Sequence, residues 1–306
     1  MIVLKDPDKI SSYKNTAVTV GSFDGVHLGH QKIFSNLQES AVRHELKSTI
    51  VTFDPHPRKI LNTSNFDLKL LTSLDEKLDV FEKNAIQQVV IIPFTQDFSR
   101  ITYLDFVKNY LVEKLKVRLM VIGHDHHFGR DREGGINKLI NLGTKYGFTV
   151  TEIPAYTRNG ETLSSTLIRN EIESGNVEKA ANFLGRYYNI SAKVIRGDGR
   201  GKNIGYPTAN LEVVNSDKVV PKRGVYAVEV LLQGKEYKGM MNIGYRPTFN
   251  YDRLTLEVHI FNFNAEIYGQ LLSIYFKKFI RDENKFPSVK ELILQLDKDK
   301  EICQKL

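Results

Sequence analysis

Five short apolar runs in the first half of the chain alternate with helical patterns, and this alternation restricts the fold more than any other feature. The runs are rich in Val, Ile and Phe and almost continuously hydrophobic, as strands buried on both faces of a sheet are. Because a helical pattern separates each run from the next, we predict a parallel, doubly wound α/β sheet. The runs cover residues 16–20, 49–53, 88–92, 118–122 and 148–153.

The second half alternates apolar and polar residues with a period of two, which is typical of half-buried strands. Gln233-Gly234 is a tight-hairpin signal between two of these segments. A helical pattern runs from Ser288 to about Lys305. We therefore predict a small antiparallel β-barrel with a terminal helix, and two domains over residues 1–185 and 186–306. The alternating segments are 190–196, 224–232, 235–243, 253–260 and 271–279.

Composition excludes several classes of protein. Hydrophobic residues make up 41% and charged residues 26% of the 306 residues, as in ordinary globular proteins. No apolar run reaches the roughly 20 residues that cross a bilayer, and the N-terminus does not resemble a signal peptide. Cys303 is the only cysteine, which excludes an internal disulfide framework. We expect a cytoplasmic protein without a membrane partner.

The net charge of +7 raises the question of a nucleic-acid partner. Lys and Arg are spread along the chain, Trp is absent, and no signature of an RNA- or DNA-binding module occurs. A basic RNA-associated protein is therefore the weaker alternative. We expect no nucleic-acid partner and ligands that are phosphate-rich small molecules.

A candidate phosphate site follows the first apolar run. His27 and His30 lie three residues apart where a helix should begin, so both can face one anion at the helix N-terminus. Gly21 and Gly29 allow the backbone to approach a ligand. The alternative is that the histidines only cap the helix or lie in solvent. The preceding strand, the glycines and Asp24 favour the phosphate site.

Three further polar motifs follow apolar runs, at the sheet edge where open α/β sheets bind ligands. Asp54-Pro55-His56-Pro57 follows the second run. Segment 123–129, Gly-His-Asp-His-His-Phe-Gly, follows the fourth, and segment 164–169, Ser-Ser-Thr-Leu-Ile-Arg, comes after the fifth. Arg169 can hold leaving phosphates, although a capping run with a solvated arginine explains the last motif equally well. In the first motif, His56 can line the pocket, but stiffening of the turn by Pro55 and Pro57 explains the motif equally well.

A metal site formed by His124, Asp125, His126 and His127 is a weaker explanation of segment 123–129. Adjacent side chains diverge, no distant ligand is specified, and flanking glycines suit a nucleotide loop better.

The second half contains a glycine-rich stretch at 197–210 that ends in Gly-Tyr-Pro-Thr-Ala-Asn. It lacks the Lys-Ser or Lys-Thr of a P-loop, but its glycines still allow backbone N–H groups to surround phosphate. Thr208 and Asn210 point the same way in an extended segment, which suits Mg²⁺ and ATP phosphates. The alternative is a glycine-rich turn before an edge strand.

Glu257 lies on the polar side of the alternating segment 253–260, together with Thr255 and His259. A carboxylate in that position can act as a general base toward a hydroxyl nucleophile. A solvated polar face would be the ordinary explanation, but a phosphoryl-donor motif in the same domain favours the base.

Taken together, these motifs resemble the prokaryotic bifunctional riboflavin kinase/FMN adenylyltransferase (FAD synthetase) family. The first-half motifs 21–30, 54–57, 123–129 and 164–169 resemble its FMN adenylyltransferase half, a Rossmann-like nucleotidyltransferase. The second-half motifs 205–210, 242–249, 256–259 and 281–286 resemble its riboflavin kinase half. The resemblance covers nearly the whole chain. The chain departs from the family pattern at two places. His126-His127 stands where an aromatic residue and an arginine are usual, and Tyr206 stands where Phe is usual.

The resemblance implies two Mg²⁺-dependent reactions, from riboflavin and ATP to FMN and from FMN and ATP to FAD and pyrophosphate. It also leaves open that only one domain is catalytic, the other being a flavin-binding or regulatory module. Self-association is not determined. The implied catalytic residues are Glu257, His27, His30 and Arg169, with Thr208 and Asn210 for the metal. The implied ligand-binding residues are Gly21, Phe23, Asp24, Gly29, Pro55, Pro57, Gly123, Asp125, Phe128, Ser164, Ser165, Thr166, Gly199, Gly201, Lys202, Thr208, Asn210 and Arg281.

Overall fold

The apolar runs of the first half form a parallel sheet in the computed structural model, which describes residues 1–5, 15–61, 68–124, 135–197, 199–247 and 252–306. Each predicted run lies within an observed strand or one residue beyond it, and a short strand at the N-terminus is added. The strands are β1 (Ile2–Leu4), β2 (Thr16–Val20), β3 (Lys47–Asp54), β4 (Gln88–Pro93), β5 (Val117–Gly123) and β6 (Thr149–Ile153). Their order in the sheet is β1-β4-β3-β2-β5-β6, and every pair is parallel.

Helices cover both faces of this sheet. They are α1 (Leu28–Arg43), α2 (Pro57–Ile60), α3 (Leu74–Lys83), α4 (Tyr103–Asp105), which continues as a π-helix (Phe106–Lys114), and α5 (Ile136–Tyr146). Successive residues of β2 alternate between two clusters, with Ala17 packed on α1 and α3 and Val18 on the π-helix and α5. The burial of both faces accounts for the continuous hydrophobicity of the runs.

Side-chain caps begin two of the helices where the sequences Ser73-Leu-Asp-Glu76 and Thr102-Tyr-Leu-Asp105 predict capping boxes. The Ser73 hydroxyl accepts the Glu76 N–H at 3.2 Å, and the Glu76 carboxylate accepts the Ser73 N–H at 2.9 Å. This is the predicted capping box of α3. The Thr102 hydroxyl accepts the Asp105 N–H at 3.1 Å and begins α4.

Two short strands and two helices follow the sheet. The strands β7 (Thr157–Arg158) and β8 (Glu161–Thr162) form a hairpin whose turn residues, Asn159 and Gly160, both have positive φ. The helices are α6 (Ser165–Glu173) and α7 (Val177–Leu184). Gly175 and Gly185 follow them with φ of 88° and 72°, as the sequence predicts for helix ends.

The second half forms a closed antiparallel barrel with a terminal helix, α8 (Val289–Lys305), capped by Ser288. The predicted hairpin at Gln233-Gly234 is present, with φ of 48° and 79°. The strands are β9 (Asn189–Ile195), β10 (Ala209–Val213), β11 (Gly224–Leu232), β12 (Lys235–Pro247), β13 (Asp252–Ile260) and β14 (Leu271–Arg281). Around the barrel their order is β10-β13-β12-β11-β14-β9.

The chain divides by its contacts into two units, Met1–Ser165 and Thr166–Leu306. Almost all of α6 and all of α7 belong to the second unit, where α7 packs against β14 and the Ile172 carbonyl accepts the Lys222 N–H. The sequence predicts both helices in the first domain. Because packing does not define a functional boundary, the division at residue 185 stays a prediction. Across the described ranges, no helix is long and apolar enough to cross a membrane.

Two candidate active sites

The loop between β2 and α1 has an unusual backbone. Phe23, Gly25 and Val26 all have positive φ, at 48°, 80° and 40°. A β-branched residue such as Val26 rarely adopts this conformation, and strain of this kind is concentrated at binding and catalytic sites. The loop lies where the strand order of the sheet reverses, between β3 and β5, which is the usual ligand position in such sheets.

Buried polar contacts hold this loop. The Asp24 carboxylate is 2% exposed and accepts the backbone N–H groups of Leu71, at 2.9 Å, and Thr72, at 3.1 Å. The Lys77 ammonium donates to the Ser22 carbonyl at 2.7 Å. Burial lowers the pKa of Lys77, while the Asp24 and Asp54 carboxylates oppose that shift. Asp24, predicted as a ligand-binding residue, thus also anchors the loop.

His27 and His30 lie together at the N-terminus of α1. Their rings are stacked, with centroids 3.7 Å apart, and the edge of the Phe23 ring meets His30 at 5.2 Å. His27 occupies the N-cap position and is 5% exposed. A Cβ at Gly29 would lie 3.1 Å from the His27 ring, so glycine gives this ring its space. The pair therefore adds two imidazoles to the positive end of a helix.

The other residues predicted for the first site lie at strand and helix ends. The hydroxyl of Ser165, the last residue of the first unit, donates to the Asp24 carbonyl at 2.8 Å. His56 caps α2 by accepting the Arg58 N–H, between Pro55 and Pro57 at the end of β3. Gly123 ends β5, and Ser164 is exposed.

The roles of all these site residues stay predictions, and four of the predicted residues are not described with this site. Asp125 and Phe128 lie outside the described residues, as do His126 and His127 of the metal alternative. Thr166 and Arg169 belong to the second unit, where Arg169 is 7% exposed. Their roles stay predictions.

The second candidate site is a cavity of about 550 Å³ beside the barrel wall and under α8. Leu256, Val258 and Ile260 of β13 are buried, and the alternate residues Glu257 and His259 line the cavity. The predicted residues Gly201, Thr208 and Arg281 also line it. The remaining lining residues are Ile204, Tyr206, Val225, Met240, Met241, Asn242, Glu283, Asn284, Phe286, Val289, Leu292 and Leu296.

A row of polar residues crosses three neighbouring strands, and two of its members, Glu257 and Asn242, line this cavity. Glu257 of β13 is directly opposite Asn210 of β10 on one side and Asn242 of β12 on the other. The Thr208 hydroxyl donates to the Glu257 carboxylate at 3.2 Å, and the Asn242 amide donates to Glu283 at 3.2 Å. The predicted base and metal-binding residues are therefore brought together.

The glycine-rich stretch before β10 folds against this row. Gly199 and Gly205 have φ of 67° and 81° and flank a 3₁₀ turn. A Cβ at Gly201 would lie 2.2 Å from the Tyr206 carbonyl, and one at Gly197 would lie 2.0 Å from the Asn210 amide nitrogen. Only glycine fits at these two positions, because the Tyr206 carbonyl approaches Gly201 and the Asn210 side chain approaches Gly197. Lys202 is exposed.

Polar contacts also fasten α8 over the cavity. Arg281 binds the fully buried Asp299 through Nε and Nη2, at 3.0 and 2.7 Å. The Tyr206 hydroxyl donates to Asp297, and burial together with that carboxylate raises the pKa of Tyr206 to about 12. Arg281, predicted to bind ligand, thus also holds the helix.

Sequence reasoning did not identify His259, Tyr206, Asn242 or Glu283 as site residues. The His259 imidazole Nδ1 lies 2.7 Å from the Pro207 carbonyl oxygen. Burial and the nearby Lys300 ammonium lower the pKa of His259, although the contact with Pro207 opposes this. The period-two pattern places His259 on the same side of the strand as Glu257, and that signal alone could have identified His259 as a site residue.

Comparisons with known proteins match the two halves of the chain to two different families. A family model for FAD synthetase matches residues 9–167, and one for riboflavin kinase matches residues 184–306. A crystal structure described as that of a macrolide-efflux protein from Streptococcus pneumoniae has a TM-score of 0.91 and 31% identity. That match covers 100% of this chain and 99% of the other.

Curated relatives match over almost the whole chain. Bifunctional riboflavin kinase/FMN adenylyltransferase of Listeria monocytogenes is 40% identical over 94% of this chain and 91% of its own. The proteins of the same name from Bacillus subtilis and Escherichia coli K12 are 37% and 36% identical, over 94% and 92% of this chain and 90% of each relative. The chain therefore belongs to the bifunctional riboflavin kinase/FMN adenylyltransferase family, with an FAD synthetase domain followed by a riboflavin kinase domain.

Proposed function

We propose that Glu257 is the general base of the kinase step, in which the terminal ribityl hydroxyl of riboflavin is phosphorylated. The carboxylate takes the hydroxyl proton as the oxygen attacks the γ-phosphorus of ATP, and ADP leaves. The observation that carries this proposal is the 3.2 Å contact between Thr208 and Glu257 at the wall of a cavity of about 550 Å³. The aromatic and aliphatic lining of the same cavity suits a flavin ring.

Thr208 and Asn210 are the residues that would hold Mg²⁺. Their hydroxyl and amide oxygens, beside the Glu257 carboxylate, fit the oxygen ligands that Mg²⁺ prefers. When bound, the ion would neutralise charge on the ATP phosphates. Gly199, Gly201 and Lys202 support the same phosphates through backbone N–H groups and one ammonium.

The adenylyl transfer takes place at the loop that follows β2. A phosphate oxygen of FMN attacks the α-phosphorus of ATP, and pyrophosphate leaves, so the protein must align two anions and offset the developing charge. His27 and His30 at the start of α1 provide that charge or donate hydrogen bonds to it. We assign the leaving phosphates to Ser164, Thr166 and Arg169.

The product of the barrel domain is the substrate of the sheet domain. The presence of both family matches favours two working domains over the alternative in which one domain is only a binding module. We place the functional boundary at residue 185, because the riboflavin kinase match begins at residue 184. The buried free thiol of Cys303 is consistent with a cytoplasmic enzyme, and no step requires a nucleic-acid partner.

A time course with purified protein, riboflavin, ATP and Mg²⁺ tests this assignment. Chromatography of the flavins should show FMN first and FAD later, and chelation of the metal should stop both. FMN without FAD would show that the sheet domain does not transfer adenylyl groups. Neither product, together with salt-sensitive retention of RNA, would favour the RNA-associated alternative.

A further inference from the structure

Three successive residues that lead into β10 are each held by a side chain of the barrel domain, one from α8 and two from β13. Tyr206 donates its hydroxyl to Asp297 of α8. The Pro207 carbonyl lies 2.7 Å from Nδ1 of His259, and the Thr208 hydroxyl donates to Glu257 at 3.2 Å. The last two contacts come from neighbouring positions on one face of β13.

We propose that His259 is a positioning residue of the kinase site, which fixes the Pro207 carbonyl and so presents Thr208 to Glu257 and the nucleotide. The backbone ladder between β10 and β13 begins with Ala209 opposite Val258. Pro207 precedes that ladder and, having no N–H, cannot donate a bond of its own. The His259 side chain therefore holds β10 and β13 together beyond the end of their backbone ladder, next to Thr208 and Glu257.

The contact with Pro207 determines which nitrogen of the His259 imidazole carries the proton. A carbonyl oxygen only accepts hydrogen bonds, so the Nδ1 atom of His259 carries the proton. The ring is 8% exposed and packs edge-to-face on Tyr206 at 5.2 Å and Phe261 at 5.6 Å. Packing holds the ring in place, and the Nδ1–H group holds the Pro207 carbonyl.

Two substitutions separate the hydrogen bond from the packing. His259→Asn loses the ring but retains an N–H donor near the Nδ1 position. His259→Phe retains the ring but loses the donor. We expect His259→Asn to phosphorylate riboflavin within about threefold of the unaltered enzyme. We expect His259→Phe to lose at least about tenfold in kcat, because Thr208 is then less often aligned.

Adenylylation of supplied FMN, measured on the same full-length preparations, should be unchanged and serves as the control for folding. Full kinase activity in His259→Phe, or equal losses in both variants, would overturn the positioning role. This inference rests on the proposed roles of Thr208 and Glu257, so Glu257→Gln is assayed in parallel. An active Glu257→Gln enzyme would refute the proposed base itself, whereas an inactive one with an active His259→Phe would refute only the inference.

Discussion

Asn210 and Glu257 face each other across two antiparallel strands of the barrel, and Asn242 lies opposite Glu257 on its other side. Residues in such opposed pairs project to the same face of the sheet. The carboxylate is therefore flanked by two amides, and the Thr208 hydroxyl reaches it from just before β10. Strand pairing therefore brings together the polar groups of the proposed kinase site.

Glu257→Gln should abolish FMN formation, by about a hundredfold or more, because an amide cannot accept the hydroxyl proton. FAD formation from supplied FMN should continue, since that reaction uses the other domain. Glu212→Gln is the matched control, an identical change at an exposed position of neighbouring β10. Equal loss of both activities in the Glu257 variant would contradict separate sites.

His30→Ala should show the opposite pattern. We expect a loss of at least about tenfold in FAD synthesis if the ring contributes about 1.4 kcal/mol to the transition state, and unchanged FMN formation. His44→Ala, at the exposed C-terminal end of the same helix, is the control. Unaltered FAD synthesis in His30→Ala would remove this residue from the mechanism.

Gly29→Ala should impair adenylyl transfer without destabilising the protein. Gly29 does not have a positive φ, so alanine at this position should stabilise the protein by about 0.4–1 kcal/mol through a less flexible unfolded chain. Its Cβ, however, would lie 3.1 Å from the His27 ring and displace it. We expect a loss of about tenfold in FAD synthesis, with an unfolding temperature that is unchanged or higher. Ser35→Ala, exposed on the same helix, should leave activity intact. Equal activity in the two variants would show that the His27 position is not critical.

Asp299→Asn should weaken the barrel domain. It leaves the largely buried Arg281 guanidinium without its carboxylate, at a cost of about 3–5 kcal/mol. Heating the full-length variant should abolish kinase activity several degrees earlier, while adenylyl transfer is lost at the usual temperature. Glu301→Gln removes an exposed pair with Lys305 from the same helix and should shift neither midpoint. Equal shifts in the two variants would show that burial adds nothing to the Arg281 pair.

Cys303 should resist alkylation in the folded protein. Burial, with a smaller effect of Asp299, raises the pKa of its thiol from 9.0 to about 12. At pH 9 the native thiolate is therefore rare, and labelling should be at least ~100-fold slower than in denaturant.

The same shift predicts alkaline destabilisation. Because the folded state retains the Cys303 proton more tightly, the free energy of unfolding should fall as the pH rises from about 9 toward 12. Urea midpoints at pH 8 and 10 measure this effect. Cys303→Val should reduce the pH dependence, and an unchanged slope would show that the thiol does not contribute.

Local patterns predicted most of the fold. The buried strands follow from continuous apolar runs, and Gln233-Gly234 specifies a turn that requires two positive φ angles. Asn159-Gly160 carries the same signal, but the strands β7 and β8 on either side of it have two residues each and show no period, so the sequence analysis does not predict this hairpin. The strand Ile2–Leu4 has only three residues and no readable period.

Contacts between distant segments could not be predicted in this way. The Asp24 carboxylate is held by Leu71, 47 residues away, and His259 meets Pro207 across 52 residues. A sequence pattern shows that such a side chain is polar and which side of a strand it occupies. Its partner depends on the tertiary fold, so anchors and ligand-binding groups look alike in the sequence.

The closed barrel also fixes the distances between the polar groups of the proposed kinase site. Asn210, Glu257 and Asn242 stand on adjacent strands, so their separation is set by the roughly 4.8 Å spacing of a hydrogen-bonded ladder. A shift of one residue would turn Glu257 toward the apolar interior, and closure of the barrel on both sides of β13 opposes such a slip. Changes of substrate in this scaffold should therefore arise in the surrounding loops and terminal helix, while the spacing of the three polar groups stays constant.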